Sequence, residues 1–315
     1  MHHILKKGFK IEGQTIALKT LTGYSNVGAM FVLVRLQIYE LSIIPSMLYG
    51  IEAWNKQTKQ ELKELERQQA KALCRLLNMP RSTPYLGMLN EVGIWKVEER
   101  LNYRRIMLVQ NILKSDDRRL CKRILLEQER EDEDDDTLYA TTRKALEKYG
   151  IDIREIANMK KSELKRKVKE RIDEEMTKMI QKAANNMTKL RFIKGEKFER
   201  KKYFKEMSGN DSLQVMRSRL NMQVVYGNYK GDVKLAKHCP YCLEAEDNTE
   251  HLVECTELGR TMLRKSDLKN NENKELWRQL NERIAFNINN RAVYNNNNNT
   301  CSIRLSLHKN PGSNT

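Results

Sequence analysis

Proline and glycine are scarce in this chain, with 5 Pro and 14 Gly among 315 residues. That scarcity argues against a turn-rich β-sandwich or barrel and for long helices. No run of 18 uncharged apolar residues occurs, which speaks against a membrane span. The greasiest stretch, 27–51, is interrupted by Arg35, Glu40 and Pro45. The N-terminal MHHILKKGFK has no apolar core leading to a cleavage site, so secretion is not expected. Six cysteines over this length do not make a disulfide scaffold. An intracellular, reducing compartment, nuclear or cytoplasmic, is the expected setting. A Gly-rich phosphate loop and a nucleophile elbow are also missing. Asp116-Asp117 sits at a helix joint and 134–136 in a charged run, so neither reads as a polymerase-type metal site. No catalytic residue is expected.

What the chain has in quantity is charge. It carries 58 Lys+Arg against 42 Asp+Glu, for a formal net charge of +16. The charge is unevenly placed. Residues 127–136, EQEREDEDDD, hold eight acids and one Arg. Such a block repels itself and stays solvated, and it reads as a linker. Residues 141–240 hold 26 Lys+Arg and 13 Asp+Glu. One Lys-rich run is often only a solvated helix face. An excess sustained over this length would attract a polyanion through counterion release. Nucleic acid is the expected partner, RNA or DNA. An anionic membrane is not, because no basic helix carries bulky apolar anchors.

The periodicity is helical almost throughout. Thr58 and Glu61 form a capping-box pair opening a helix on which Leu62, Leu65, Leu73, Leu76 and Leu77 recur on one face. Thr83-Pro84 starts a short helix and Gly93 stops it. Further helices are expected at about 97–114, from an Asp116 cap to Leu126, at 141–149 closed by Gly150, from a Ser162 cap to Ala184, at 212–226 and at 272–286. The segment from Phe192 to Met207 interleaves basic and aromatic residues. From Asn287 the chain is Asn-rich and reads as disordered.

One cluster carries sharp chemistry: Cys239-x2-Cys242-x8-His251-x3-Cys255. Two cysteines two residues apart turn their sulfurs toward one point. Asp247 and Glu250 resemble a capping box, which would set His251 and Cys255 at i and i+4 on one helix face. Three thiolates and an imidazole without a carboxylate suit tetrahedral Zn²⁺, and four protein ligands leave no open position, so the zinc would be structural. His238 is adjacent and reads as a surface base or phosphate contact. Cys74 reads as core filler, and Cys121 and Cys301 have no such partners.

The succession of residues also carries a resemblance. Tyr49-Gly50-Ile51-Glu52-Ala53-Trp54, Pro80-Arg81-Ser82-Thr83-Pro84, Glu91 and Gly93 come first. Lys160–Lys169, Leu190-Arg191, Arg217–Leu220, Asn228-Tyr229-Lys230 and the Cys/His cluster follow. Over roughly 20–260 this resembles the region after the palm in reverse transcriptases of non-long-terminal-repeat (LINE-type) retrotransposons. The chain is expected to be mainly α with the acidic linker at 127–136, and the resemblance implies a helical thumb-like domain (1–126) before that linker and a basic helical connector (137–230) after it. A zinc-knuckle-like module (231–260), a C-terminal helix (261–286) and a disordered tail (287–315) would follow. The family's paired aspartates on a hairpin are absent, so polymerase activity by this chain alone is not expected. The implied role is nucleic-acid binding, with a separate polymerase palm as a further partner. Lys165, Arg166, Lys167, Lys169, Lys194, Lys197, Arg200, Lys201 and Lys202 are the candidate phosphate contacts, with Arg217, Arg219, Lys230 and Lys237 flanking the zinc module. Tyr203 and Tyr229 can either stack on bases or pack in the core, and Phe204 reads as core. A helical protein-interaction module, docking through the Leu62–Leu77 face, is the alternative.

Overall fold

The computed structural model describes residues 12–17, 29–51, 57–130, 136–207, 209–223, 225, 237–239, 241–258 and 278–279. The described chain is mostly helical, and a single antiparallel bridge, His238 to Glu246, is its sole β pairing. It divides into two units, one gathering Val34–Thr188 and Lys194–Lys201 and the other Lys189–Ile193 and the chain from Lys202 onward.

Helix α1 (Ala29–Ile38), which belongs to the first unit from Val34 onward, runs into a π-helical turn, Tyr39–Ile43, and then α2 (Ile44–Leu48). Pro45 lies in the first turn of α2 and has no N–H to donate back to Leu41. The Ile44 N–H instead bonds the Tyr39 carbonyl, so the chain widens rather than breaks. The capping box forms as the sequence requires. Thr58 Oγ1 accepts from the Glu61 N–H at 3.2 Å, and Glu61 Oε2 accepts from the Thr58 N–H at 3.1 Å. It opens α3 (Lys59–Leu76). Leu65, Leu73, Leu76 and Leu77 are fully buried and Leu62 is half-buried. The face expected to dock on a partner is therefore already used by the protein's own core.

Pro84 precedes α4 (Tyr85–Val92), and Gly93 closes it with φ +63°. After α5 (Val97–Leu113), α6 spans Leu120–Arg130 and begins later than the Asp116 cap suggested. Asp116 spends its carboxylate on the Arg118 N–H, 2.8 Å away, inside the connecting turn. Thr137 caps α7 (Leu138–Lys148), and α8 (Ile153–Ile156) follows. The run 127–136 is not the boundary its charge implied. Its first four residues complete α6, and α6 and α7 pack on each other and on α5 within one unit. Tyr139 holds the two helices together, its N–H donating to Gln128 at 3.2 Å and its hydroxyl to Glu129 at 2.9 Å. The reason is apolar pattern: α7 buries Ala140, Ala145 and Leu146, which outweighs local repulsion.

Helix α9 (Lys161–Asn186) is the longest described element. Leu164, Val168, Ile172, Met176, Ile180 and Ala184 are buried at every fourth position, against α4 and α5. Its N-cap is Lys160 with no side-chain cap bond, not Ser162, which lies one residue inside the helix. The apolar register, not capping chemistry, sets where it starts. Trp95 locks the register, its indole N–H donating to Asp173 at 2.7 Å. A segment from Lys194 to Lys201 lies along α4. The Lys201 N–H bonds Glu91 O at 3.1 Å, and Arg200 reaches Val92 O at 2.8 Å and Glu40 at 2.6 Å.

In the second unit, Leu190, Phe192 and Ile193 are buried in a 3-10 turn. Short α10 (Tyr203–Glu206) packs on α11 (Gly209–Arg219), which ends at Arg219, with Asn221 just beyond it at φ +54°. That is well short of the expected end at residue 226. Then come α12 (Thr249–Glu254) and a 3-10 turn at Thr256–Leu258. The expected C-terminal helix lies outside the described residues except at 278–279, and the Asn-rich tail lies outside them entirely.

Candidate metal centre and basic surface

Residues 237–247 fold back on themselves. The Cys239 N–H bonds Ala245 O at 2.8 Å, the Asp247 N–H bonds Lys237 O at 3.0 Å, and the Leu243 N–H closes the tip onto Cys239 O at 2.9 Å. Closing so tight a tip forces Leu243 to φ +61°, a conformation L side chains rarely adopt. Its side chain is 70% exposed. α12 then begins at an Asn248 cap, whose Oδ1 accepts from the His251 N–H at 2.8 Å. The cap is thus one residue later than the Asp247 of the expected capping box. Cys255 stands at the C-cap, its N–H bonded to His251 O at 2.7 Å.

These two pieces bring Cys239, Cys242, His251 and Cys255 together, with every ligand atom within 4.8 Å of the others. Cys239 Sγ and Cys255 Sγ are 3.8 Å apart, and Cys242 Sγ and His251 Nε2 are 3.3 Å apart. A tetrahedral ion with metal–sulfur bonds of ~2.3 Å and metal–nitrogen bonds of ~2.0 Å has edges of roughly 3.8 Å and 3.5 Å. The residues fit a four-coordinate metal ion. His238, exposed on the neighbouring bridge, is not one of the converging ligands.

The electrostatics of Cys242 and His251 suit that use, while burial of Cys239 opposes its ionisation until a cation is present. Burial pushes the Cys239 thiol up to about 11, although the Tyr241 and Cys242 N–H groups point at its sulfur. The N–H groups of Ala245 and Glu244 hold Cys242 below the usual thiol value. Burial lowers the His251 imidazole, keeping the neutral, ligating form. The backbone donors were invisible as residue types; only the tight Cys-x2-Cys spacing hinted at them. Arg191 is a further residue the pattern did not reveal. It pairs with Glu250 of α12 and lies 4.9 Å over the Phe192 ring. Cys74 is buried and pushed up to about 11, consistent with core filler, and Cys121 is exposed.

The candidate phosphate contacts separate into groups. Lys165, Lys169, Lys194, Lys197, Lys202 and Lys237 are exposed. Arg166 pairs with Glu170 at 3.0 Å and half-buried Lys167 with Glu155 at 3.5 Å. Lys201 is a correction: it is 1% exposed and its ammonium bonds Glu196 at 3.0 Å and Lys197 O at 3.1 Å. Arg219 is a second correction, being fully buried in α11. Arg200 is committed to Glu40 and Val92. Tyr203 belongs to the core with Phe204, their rings 4.5 Å apart, and is not a base-stacking residue. Arg217 is half-buried. Lys230 and Tyr229 lie outside the described residues.

No protein-family model, curated protein or solved structure matches the chain. Among the described residues, no helix is long and apolar enough to cross a membrane.

Proposed function

We propose that the chain binds nucleic acid and folds its C-terminal module around one structural Zn²⁺. The observation that carries the metal half is the 3.8 Å and 3.3 Å pair of edges within a closed set of three thiols and one imidazole. Soft ligands, two edges near tetrahedral length and the absence of a carboxylate among the four favour zinc over magnesium or calcium. With all four positions filled by protein, the ion stabilises the fold and has no vacancy for chemistry. The nucleic-acid half rests on the basic excess of 141–240 and on the exposed lysines among the candidate contacts. It agrees with the resemblance to the post-palm region of LINE-type reverse transcriptases, in which this chain is a template- or target-holding portion without polymerase activity of its own.

Two measurements test the reading on the purified full chain. Elemental analysis gives one zinc per chain, lost to a chelator together with helical signal from the module. Anisotropy with a labelled single-stranded RNA and the same DNA sequence gives binding that weakens steeply between low and physiological salt. Metal well below one equivalent overturns the first half, and a salt slope near zero overturns the second. Primer extension by the isolated chain would overturn the non-enzymatic assignment.

A further inference from the structure

The basic excess is spread over a hundred residues, and part of it is aligned in one row that begins where two elements meet. α5 ends at Leu113, and Lys114 beyond it donates to the Met159 carbonyl, just before α9 begins. The first residue of α9, Lys161, donates to Asn111 Oδ1 at 3.0 Å. Two elements thus deliver cations to one corner. From that corner Lys161, Lys165 and Lys169 recur at every fourth position, a row along one edge of the helix with about 6 Å of rise per step. All three, and Lys114, are exposed. Among the described residues, no carboxylate oxygen lies within ion-pair distance of Lys165 or Lys169. The cations on the other side of the helix are already neutralised: Arg166 by Glu170, Lys167 by Glu155, and Arg171 by Glu174 at 2.8 Å.

The metal module has the opposite character. Between 237 and 258 it carries six carboxylates, Glu244, Glu246, Asp247, Glu250, Glu254 and Glu257, against Lys237 alone. Three thiolates around a divalent ion add a further negative charge. That surface repels a phosphate backbone.

We infer that nucleic-acid phosphates are held by the row Lys161, Lys165 and Lys169 with Lys114, where α5 meets α9, and that the metal module does not contact them. This assignment rests on the nucleic-acid reading above and sharpens it. A linear row suits a phosphodiester chain. It does not suit a membrane surface, because residues 160–171 expose no large apolar side chain to insert.

The test compares the full chain with a Lys165→Gln/Lys169→Gln double variant and with Lys237→Gln, using anisotropy of a labelled 20-nucleotide oligonucleotide over a salt series. Among the described residues neither lysine of the double variant has a carboxylate within ion-pair distance, although Lys169 acts on Asp173 at longer range, and circular dichroism checks that each variant is folded. The double variant is expected to bind at least tenfold more weakly at 0.1 M salt. Its log–log salt slope should shrink by about 1.4 for single strands, two contacts at roughly 0.7 each. Lys237→Gln is expected to bind like the parent. If the parent binds and the double variant matches it, or if Lys237→Gln loses as much as the double variant, the assignment is wrong. If the parent binds no oligonucleotide at all, the nucleic-acid reading itself fails. Tighter binding of the parent to anionic phosphatidylserine vesicles than to the oligonucleotide also overturns the assignment.

Discussion

Replacing Gly93 by alanine tests whether the Lys194–Lys201 segment is locked to α4. Gly93 has φ +63°, and a Cβ there would stand 2.5 Å from the Arg200 backbone nitrogen and 2.9 Å from its Cα. Both are backbone atoms, so no rotamer change relieves the clash and the segment must move. Movement strains three links: Lys201 N–H to Glu91 O, Arg200 to Val92 O, and Arg200 to Glu40. The left-handed backbone costs alanine about 1–2 kcal/mol by itself. Weakening the links adds about 2–4 kcal/mol, taking ~1 for the neutral Lys201–Glu91 bond and about 1.5–3 for the charge-assisted Arg200–Val92 bond, and discounting the half-exposed ion pair. Gly150 supplies the control. Its φ is +65°, but a Cβ there meets nothing within 4 Å, so Gly150→Ala carries only the backbone cost. Urea unfolding followed by far-ultraviolet circular dichroism should therefore place Gly93→Ala about 3–6 kcal/mol below the parent and Gly150→Ala about 1–2 kcal/mol below it. Equal losses in the two variants would refute the idea that close approach, rather than φ alone, demands glycine at 93.

Other outcomes follow from the metal site and the core. Leu243→Gly relieves φ +61° at the tip and should tighten metal binding severalfold, about 1 kcal/mol, in a competition titration with a chromogenic chelator. As metal is withdrawn at pH 7.5, Cys239 and Cys242 should become alkylated only after Cys121, which is exposed throughout. Peptide mapping by mass spectrometry reads that order, and metal should protect both cysteines but not exposed Cys121. Glu61 is held below the ordinary carboxylate range chiefly by the Thr58 N–H, so its cap stabilises α3 at neutral pH and is lost as pH falls through that lowered value. Glu61→Gln should accordingly flatten the acid limb of the stability–pH curve slightly. Ile172→Ala empties a fully buried position in α9 and should cost about 2–5 kcal/mol by urea unfolding.

Features whose cause is local were legible in the sequence. Thr58 and Glu61 are three residues apart and complete each other, so neither needs the rest of the chain to be understood. The same holds for Gly93, which ends α4 through its own φ, and for the Cys and His spacing. Features decided by tertiary packing were not legible. Lys201 looks like any exposed lysine until Glu196 and the Lys197 carbonyl are seen to enclose it. Ser162 is the better cap by residue type, yet the fourfold register of α9 starts the helix before it. The acidic run looked like a divider because charge density speaks only of solvation. That α6 and α7 are joined on either side of it depends on Tyr139 and an apolar face many residues away. Asp247 and Asn248 are both good caps side by side, and only the geometry of the preceding tip chooses between them.

Helix α12 has six residues, too few to persist in water without help. On the proposed zinc reading its clamps are His251 in the first turn and Cys255 at its end, two of the four residues that could hold one ion. Starving the protein of that ion would dissolve the helix and, with it, the station that Glu250 occupies opposite Arg191. The guanidinium over Phe192 would then lose its carboxylate partner, so on that reading trace-metal supply would govern how many free cations the chain displays.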